Sequence, residues 1–122
     1  MAKRKSGKIL VVDDEQVFAK LLAVSFKDHG YTVECATSAK QAIEGGKTFK
    51  PDVLFCDWLL KGGASGVEVA RELRRQNPKL KVIVVTGLPD KAEADIGSFP
   101  ISFLIEKPCS IDDALEAVDS LM

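Results

Sequence analysis

The feature that most constrains this chain is a regular alternation of short apolar runs with segments of helical periodicity. A short, nearly continuous apolar run is typical of a strand that is buried on both faces of a sheet. Because helical segments separate the runs, consecutive strands need crossover connections and run parallel. The pattern predicts an α/β protein, a parallel sheet with helices on both faces. The five predicted strands are Lys8–Val12, Tyr31–Ala36, Asp52–Cys56, Lys81–Val85 and Ser102–Ile105.

Helix start and stop signals lie between these strands. The first predicted helix ends at Gly30 and carries two apolar rows at helical spacing, which are Val17, Leu21, Val24 and Phe18, Leu22, Phe26. Serine side chains can cap helix amino termini, and three serines are placed to do so, namely Ser38, Ser65 and Ser110. We expect Gly45 and Gly46 to end the second helix and Pro78 to end the third near Asn77. The segment Leu88–Phe99 has few apolar anchors and predicts a short or mobile helix.

Composition excludes several classes of protein. The 122 residues favour one domain, and 46% hydrophobic with 29% charged residues argues against intrinsic disorder. No apolar run approaches the roughly 18 residues that span a bilayer, so we expect no membrane insertion. Three widely spaced cysteines, Cys35, Cys56 and Cys109, fit a reduced cytoplasm better than a disulfide scaffold.

Charge is distributed unevenly along the chain. The first eight residues contain Lys3, Arg4, Lys5 and Lys8 and no acid, and we predict a basic, flexible head over residues 1–7 before a domain over 8–122. The rest of the chain has more acidic than basic residues. A basic surface for nucleic acid is therefore not expected.

Chemically reactive side chains follow the predicted strands at their carboxyl ends, where open α/β sheets bind ligands. Asp13 and Asp14 follow the first strand, Asp57 the third, Thr86 the fourth and Lys107 the fifth. If the first and third strands are neighbours, three carboxylates converge, and a hard divalent cation such as Mg²⁺ relieves their repulsion. A metal ion, an ammonium group and a hydroxyl around one carboxylate are the groups needed to stabilise phosphoryl transfer onto it.

The motifs VVDDE, FCDW, VVTG and EKP, in this order, resemble the receiver domain of bacterial two-component response regulators, over about residues 8–122. The resemblance implies a flavodoxin-like sheet of order 2-1-3-4-5. It implies a cytoplasmic module, either a single-domain receiver or the receiver of a hybrid sensor kinase. Its partners would be a sensor histidine kinase or a histidine phosphotransfer protein, and a downstream protein.

The resemblance also assigns residue roles. Asp57 would accept the phosphoryl group, and Mg²⁺ would bind Asp13, Asp14, Asp57 and the backbone carbonyl of Leu59. The phosphoryl oxygens would pair with Lys107 and with the hydroxyl of Thr86, and Lys107-Pro108 would be a cis peptide. Leu59 and Leu88 would stand at the positions that tune the rate of dephosphorylation.

Two departures from the family pattern bear on signalling. Leu104 occupies the place of the usual switch aromatic, and Phe103 is one residue earlier, so it points to the opposite face of its strand. The loop after Asp57 is one residue longer than usual and contains Gly62 and Gly63.

Three functions are compatible with the motifs. The first is a phosphoacceptor that assists its own phosphorylation and dephosphorylation without being an enzyme. The second is a Mg²⁺-dependent phosphohydrolase with an aspartyl nucleophile, which would need a second acid where Leu59 stands. The third is a degenerate receiver that binds partners independently of phosphate, which the departure at Leu104 keeps open.

Overall fold

The computed structural model describes residues 6–122, and these residues form the predicted alternation of five strands and five helices. The five strands are all parallel and lie in the order β2-β1-β3-β4-β5, which confirms the predicted flavodoxin-like topology. Most of the predicted basic head lies outside the described residues, and its flexibility stays a prediction. The strands are β1 (Lys8–Val12), β2 (Thr32–Ala36), β3 (Val53–Asp57), β4 (Lys81–Thr86) and β5 (Phe103–Glu106).

The helices are α1 (Gln16–Asp28), α2 (Ala39–Phe49), α3 (Gly66–Gln76), α4 (Pro89–Ile96) and α5 (Ile111–Leu121). The three predicted serine caps are confirmed, since Ser38, Ser65 and Ser110 each accept a hydrogen bond from a backbone N–H three residues later. Within residues 6–122 no helix combines the length and the apolar character that crossing a membrane requires.

Alternate residues of each strand face opposite layers, because successive side chains of a strand point to opposite sides. In β1, Ile9 and Val11 pack with the buried faces of α1 and α5. Leu10 and Val12 pack with α2 and α3 on the other side. The sheet is thus buried on both faces, which explains why its strands are continuous apolar runs.

The two apolar rows of α1 have different environments. Leu22 and Phe26 are fully buried against the sheet. The other row remains on the surface, with exposed fractions of 76% for Val17, 54% for Leu21 and 58% for Val24. Gly30, with φ of 102°, follows the helix as predicted.

The predicted end of α2 at Gly45 and Gly46 is wrong. The helix continues to Phe49 and ends at Lys50, which adopts the left-handed conformation with φ of 55°. Gly46 lies where α2 contacts α3, and a Cβ atom there would be 2.6 Å from Cδ2 of Leu73. The absence of a side chain therefore permits a close helix contact and does not mark a helix end.

The two adjacent glycines of α2 provide a matched test of this packing. We expect Gly46→Ala to destabilise the protein by about 1–2 kcal/mol, since overpacking a core costs roughly 1–3 kcal/mol and better helix propensity returns only part of that. Gly45→Ala has open space around its new methyl group and should stabilise by about 0.5–1 kcal/mol. Urea unfolding of both variants measures the difference, and equal effects would contradict the role assigned to Gly46.

Candidate functional site

Three carboxylates meet at the carboxyl edge of the sheet. Asp13 and Asp14 follow β1, Asp57 ends β3, and these two strands are neighbours. One oxygen from each carboxylate lies within 4.8 Å of the others. Asp13 and Asp57 are buried, with exposed fractions of 5% and 8%, and Asp14 is half-buried. The structure thus brings together the three acids that the sequence predicted.

Backbone hydrogen bonds hold the first part of this cluster in place. The N–H of Asp13 donates to the carbonyl of Ala36 in β2 at 3.1 Å. Oδ1 of Asp13 accepts a hydrogen bond from the N–H of Glu15 at 2.9 Å, immediately before α1 begins. Because one oxygen of Asp13 is engaged in this turn, the direction of its carboxylate is fixed.

Lys107 brings a positive charge to the acidic cluster. Its Nζ donates to Oδ2 of Asp57 at 3.1 Å. The backbone N–H of Lys107 donates to the carbonyl of Thr86 at 2.8 Å, which positions the end of β5 beside β4. The Lys107-Pro108 peptide bond is cis, as expected.

Burial and charge repulsion make the ionised acids costly. Burial raises the pKa of Asp57, and the hydrogen bond and charge of Lys107 oppose part of this increase. Burial also raises the pKa of Asp13. For Lys107, burial disfavours the charged form, but the hydrogen bond to Asp57 and its charge outweigh burial, so the pKa of Lys107 is raised. Lys107 pairs with Asp57, one of three clustered acids, so negative charge remains in excess and a further cation would be stabilised here.

The donor set fits a hard divalent cation. Carboxylate and carbonyl oxygens are the ligands that Mg²⁺ prefers, and all three side chains offer oxygen. The residues available to hold the ion are Asp13, Asp14 and Asp57. The backbone carbonyl of Leu59, expected as a further ligand, lies in the loop after β3, and its place at the metal site stays a prediction.

The extended loop after Asp57 closes on itself. Leu59 and Ser65 form an isolated antiparallel bridge, and the N–H of Leu60 donates to the carbonyl of Ala64 at 3.0 Å. Gly62 and Gly63 form the turn, each with φ of 87°, a conformation that other residues rarely adopt. The bridge therefore braces the segment that carries Leu59.

Thr86 is buried at the end of β4, with an exposed fraction of 3%. Its Oγ1 accepts a hydrogen bond from the N–H of Leu88 at 2.9 Å. Leu88 and Leu59, the two positions predicted to tune dephosphorylation, are exposed by 46% and 51%. Both therefore offer apolar surface to solvent near the strand ends.

The departure at Leu104 and Phe103 in β5 has a clear structural counterpart. Leu104 packs among the apolar side chains around α4. Phe103 borders a cleft with Ile105 and with Ala117 of α5. Residues 103 and 104 therefore face opposite sides of the strand, as their positions in the sequence predicted.

Two features of the site were not found from the sequence. A Cβ atom on Gly66 would lie 2.5 Å from the carbonyl oxygen of Asp57, so α3 begins in direct contact with that backbone. In the sequence, the glycine directly after the capping Ser65 could have indicated this close approach. The second feature is a hydrogen bond at 2.8 Å from Nε1 of Trp58 to Oδ2 of Asp95 in α4. A separation of 37 residues gives no local pattern by which this pair could be recognised.

Comparison with known proteins gives concordant results. Residues 9–119 match the family described as the response regulator receiver domain. The chain is 34% identical over 110 residues to the alginate biosynthesis transcriptional regulatory protein AlgB of Pseudomonas aeruginosa, covering 88% of this chain and 24% of AlgB. It is 32% identical over 112 residues to the acid tolerance regulatory protein ActR of Rhizobium meliloti, covering 90% of this chain and 57% of ActR. The chain thus spans less than two thirds of the length of these relatives.

Solved structures with the same fold include two bacterial response regulator proteins. Response regulator protein TrrA from Thermotoga maritima, in complex with Mg²⁺ and BeF, has a TM-score of 0.80 and 29% identity, covering 94% of this chain and 98% of TrrA. A response regulator receiver domain protein from Clostridium thermocellum has a TM-score of 0.81 at 24% identity, covering 93% of this chain and 92% of that one.

The acidic cluster predicts a stability response to charge removal. In Mg²⁺-free solution at pH 7, Asp13→Asn should raise the melting temperature by a few degrees, because it removes a buried charge and keeps an oxygen for the Glu15 N–H. The raised pKa means that folded wild type takes up a proton more readily than the unfolded chain does. The advantage of Asp13→Asn should therefore shrink as the pH falls from neutral towards 3.8.

Added Mg²⁺ should raise the melting temperature of wild type more than that of Asp13→Asn, since the variant loses a ligand. Thermal unfolding followed by circular dichroism gives these values. Asp112→Asn, which removes an exposed charge from α5, is the control and should not stabilise. A variant Asp13→Asn less stable than wild type without Mg²⁺ would contradict the electrostatic interpretation.

Proposed function

This chain belongs to the response regulator receiver domain family, and we propose that it acts as a phosphoacceptor whose phosphorylated residue is Asp57. The observation that carries the proposal is the buried Asp57 carboxylate, which ends β3 within a carboxylate cluster and 3.1 Å from Nζ of Lys107. The proposed donor is a phosphohistidine of a sensor histidine kinase or of a histidine phosphotransfer protein. We propose a cytoplasmic signalling module with a protein target and without nucleic-acid binding of its own.

The proposed reaction is a transfer of one phosphoryl group between two side chains. An oxygen of the Asp57 carboxylate attacks phosphorus, and the bond between phosphorus and the donor imidazole nitrogen breaks. The electron pair of that bond stays on the imidazole. The product is an aspartyl phosphate, so the chain needs no general acid of its own for this step, which agrees with an apolar Leu59 two residues after Asp57.

Positive charge and hydrogen-bond donors at the site support this transfer. Lys107 already lies beside Asp57, and its ammonium group can pair with the phosphoryl oxygens. Asp13, Asp14, Asp57 and the carbonyl of Leu59 are proposed to hold Mg²⁺. When bound, Mg²⁺ supplies charge that stabilises the transferring phosphoryl group. The hydroxyl of Thr86 is proposed to donate to a phosphoryl oxygen of the product.

Mass spectrometry after incubation with acetyl phosphate tests this proposal. Wild type should gain the mass of one phosphoryl group per chain in the presence of Mg²⁺ and much less without it. Asp57→Ala should gain none, and Asp90→Asn, an exposed acid of α4, should behave like wild type. Continuous phosphate release from many substrates, or labelling that persists in Asp57→Ala, would refute the assignment.

The apolar positions after β3 and β4 predict a long-lived aspartyl phosphate. Hydrolysis needs a water molecule in line with the phosphorus, and neither Leu59 nor Leu88 can orient one by hydrogen bonding. We expect Leu59→Asn with Leu88→Glu to speed phosphate loss about tenfold, which corresponds to about 1.4 kcal/mol of barrier.

A time course of phosphate loss after removal of the donor measures this rate. The double variant Leu59→Ala with Leu88→Ala separates two causes, since it removes bulk without adding a hydrogen-bonding group. Phosphate loss from wild type within seconds, or a polar double variant no faster than wild type, would show that these positions do not control the rate.

A further inference from the structure

Helix α4 has little buried surface of its own. It has eight residues, of which Ala92 and Ile96 are buried, and Leu88, at the capping position before the helix, provides no side-chain cap. The two buried residues join Val67 in a small cluster. It connects to the layer of α2 and α3 through partly buried side chains that pack against both, which are Trp58, Phe99, Ile101 and Leu104. A helix packed in this way depends strongly on its few polar contacts.

The amino-terminal end of α4 is connected to Thr86. The N–H of Leu88 donates to Oγ1 of Thr86 at 2.9 Å, and the N–H of Ala92 donates to the carbonyl of Leu88 at 3.0 Å. Movement of the Thr86 hydroxyl towards Asp57 would therefore remove the partner of Leu88 and loosen the first turn of the helix.

The carboxyl-terminal end of α4 is connected to Trp58. The indole Nε1 of Trp58 donates to Oδ2 of Asp95 at 2.8 Å. The backbone of Trp58 is fixed on both sides, since its N–H donates to the carbonyl of Val85 at 2.9 Å and its carbonyl accepts from the N–H of Gly66 at 2.6 Å. The tether to α4 thus starts at the residue directly after Asp57.

The segment after α4 is also held firmly. The ring of Phe99 lies 4.9 Å from the guanidinium carbon of Arg71 and 4.6 Å from that of Arg74, both in α3. Arg74 in addition donates hydrogen bonds to the carbonyls of Pro100 and Leu80. The two ends of α4 therefore differ. The hydrogen bond to Asp95 and the contacts of the following segment fix the carboxyl-terminal end, whereas the buried hydroxyl of Thr86 holds the amino-terminal end.

We infer that the Trp58–Asp95 hydrogen bond is the pivot of α4, about which the helix turns when Thr86 releases its amino-terminal end. Trp58 is a positioning residue in this scheme, because it connects the phosphoacceptor strand to α4 without contacting the transferred group. Leu104 lies in the same apolar cluster but has no group that can form a hydrogen bond. The indole supplies the polar connection that residue 104 lacks. The release step rests on the proposed function, whereas the tether itself does not.

Asp95→Ala tests the tether in the unphosphorylated protein. Alanine has a higher helix propensity than aspartate, and a negative charge near a helix carboxyl terminus is unfavourable, so this change alone should favour the helix. We nevertheless expect the Gly97 amide, which donates to the carbonyl of Glu93, to exchange with solvent about fivefold faster, because the hydrogen bond to Trp58 is lost.

Nuclear magnetic resonance measures the effect of these variants at both partners of the hydrogen bond, the Trp58 indole and Asp95. Trp58 is the single tryptophan, so its indole N–H gives one signal, which should shift in Asp95→Ala. Asp95→Asn keeps an acceptor oxygen and should restore most of the protection. Glu93→Ala removes the same charge from the same helix and is the matched control. Trp58→Phe should reproduce the faster exchange at Gly97, and combining it with Asp95→Ala should add nothing further.

Beryllofluoride with Mg²⁺, as a phosphoryl mimic, tests the pivot. In wild type, exchange should accelerate at the Ala92 amide and stay unchanged at Gly97, whereas in Asp95→Ala it should accelerate at both. Equal acceleration at Ala92 and Gly97 in wild type would overturn the pivot, and Asp95→Ala indistinguishable from Glu93→Ala would overturn the tether. Failure of Asp57 to become phosphorylated is detected separately by mass spectrometry after incubation with acetyl phosphate. In that case the exchange measurements on the unphosphorylated protein still test the tether.

Discussion

The convergence of three carboxylates, one of them paired with the ammonium group of Lys107, is the constraint on which the rest of this structure depends. The strand order places β1 beside β3, and the acids that follow them therefore share one small volume. The electrostatic repulsion among these acids lowers the stability of the fold. Burial of the apolar strands on both faces of the sheet offsets this cost. A cluster of this kind favours added cations, which is the property that the proposed phosphoacceptor function requires.

Features governed by local sequence were predictable. Strand positions, serine caps and the residues at strand ends follow from patterns a few residues long, and the structure has them where the sequence indicated. Strand ends differed by one residue at Asp57, Thr86 and Glu106, because pairing with a neighbouring strand decides whether the last residue joins the ladder. The glycines of α2 were misinterpreted since a glycine can end a helix or permit close packing, and only the position of Leu73 in α3 distinguishes the two.

Contacts between residues far apart in the chain could not be predicted from sequence patterns. Gly66 matters because the carbonyl of Asp57 lies against it, and the indole of Trp58 contacts Asp95 across 37 residues, with α3 and β4 between them in the chain. These contacts join the site to α3 and α4. The side chains of the candidate site can thus be recognised in the sequence, whereas the contacts that join the site to α3 and α4 depend on tertiary structure.

The bridge between Leu59 and Ser65 has a consequence for how this loop can vary. Because the bridge closes the loop below its tip, the turn at Gly62 and Gly63 is mechanically separated from the carbonyl of Leu59 and from the start of α3. Lengthening a loop that is already closed costs little entropy, since each doubling of length adds only about 0.6 kcal/mol. The tip is therefore a natural place to graft a foreign peptide or a spectroscopic label beside the candidate site.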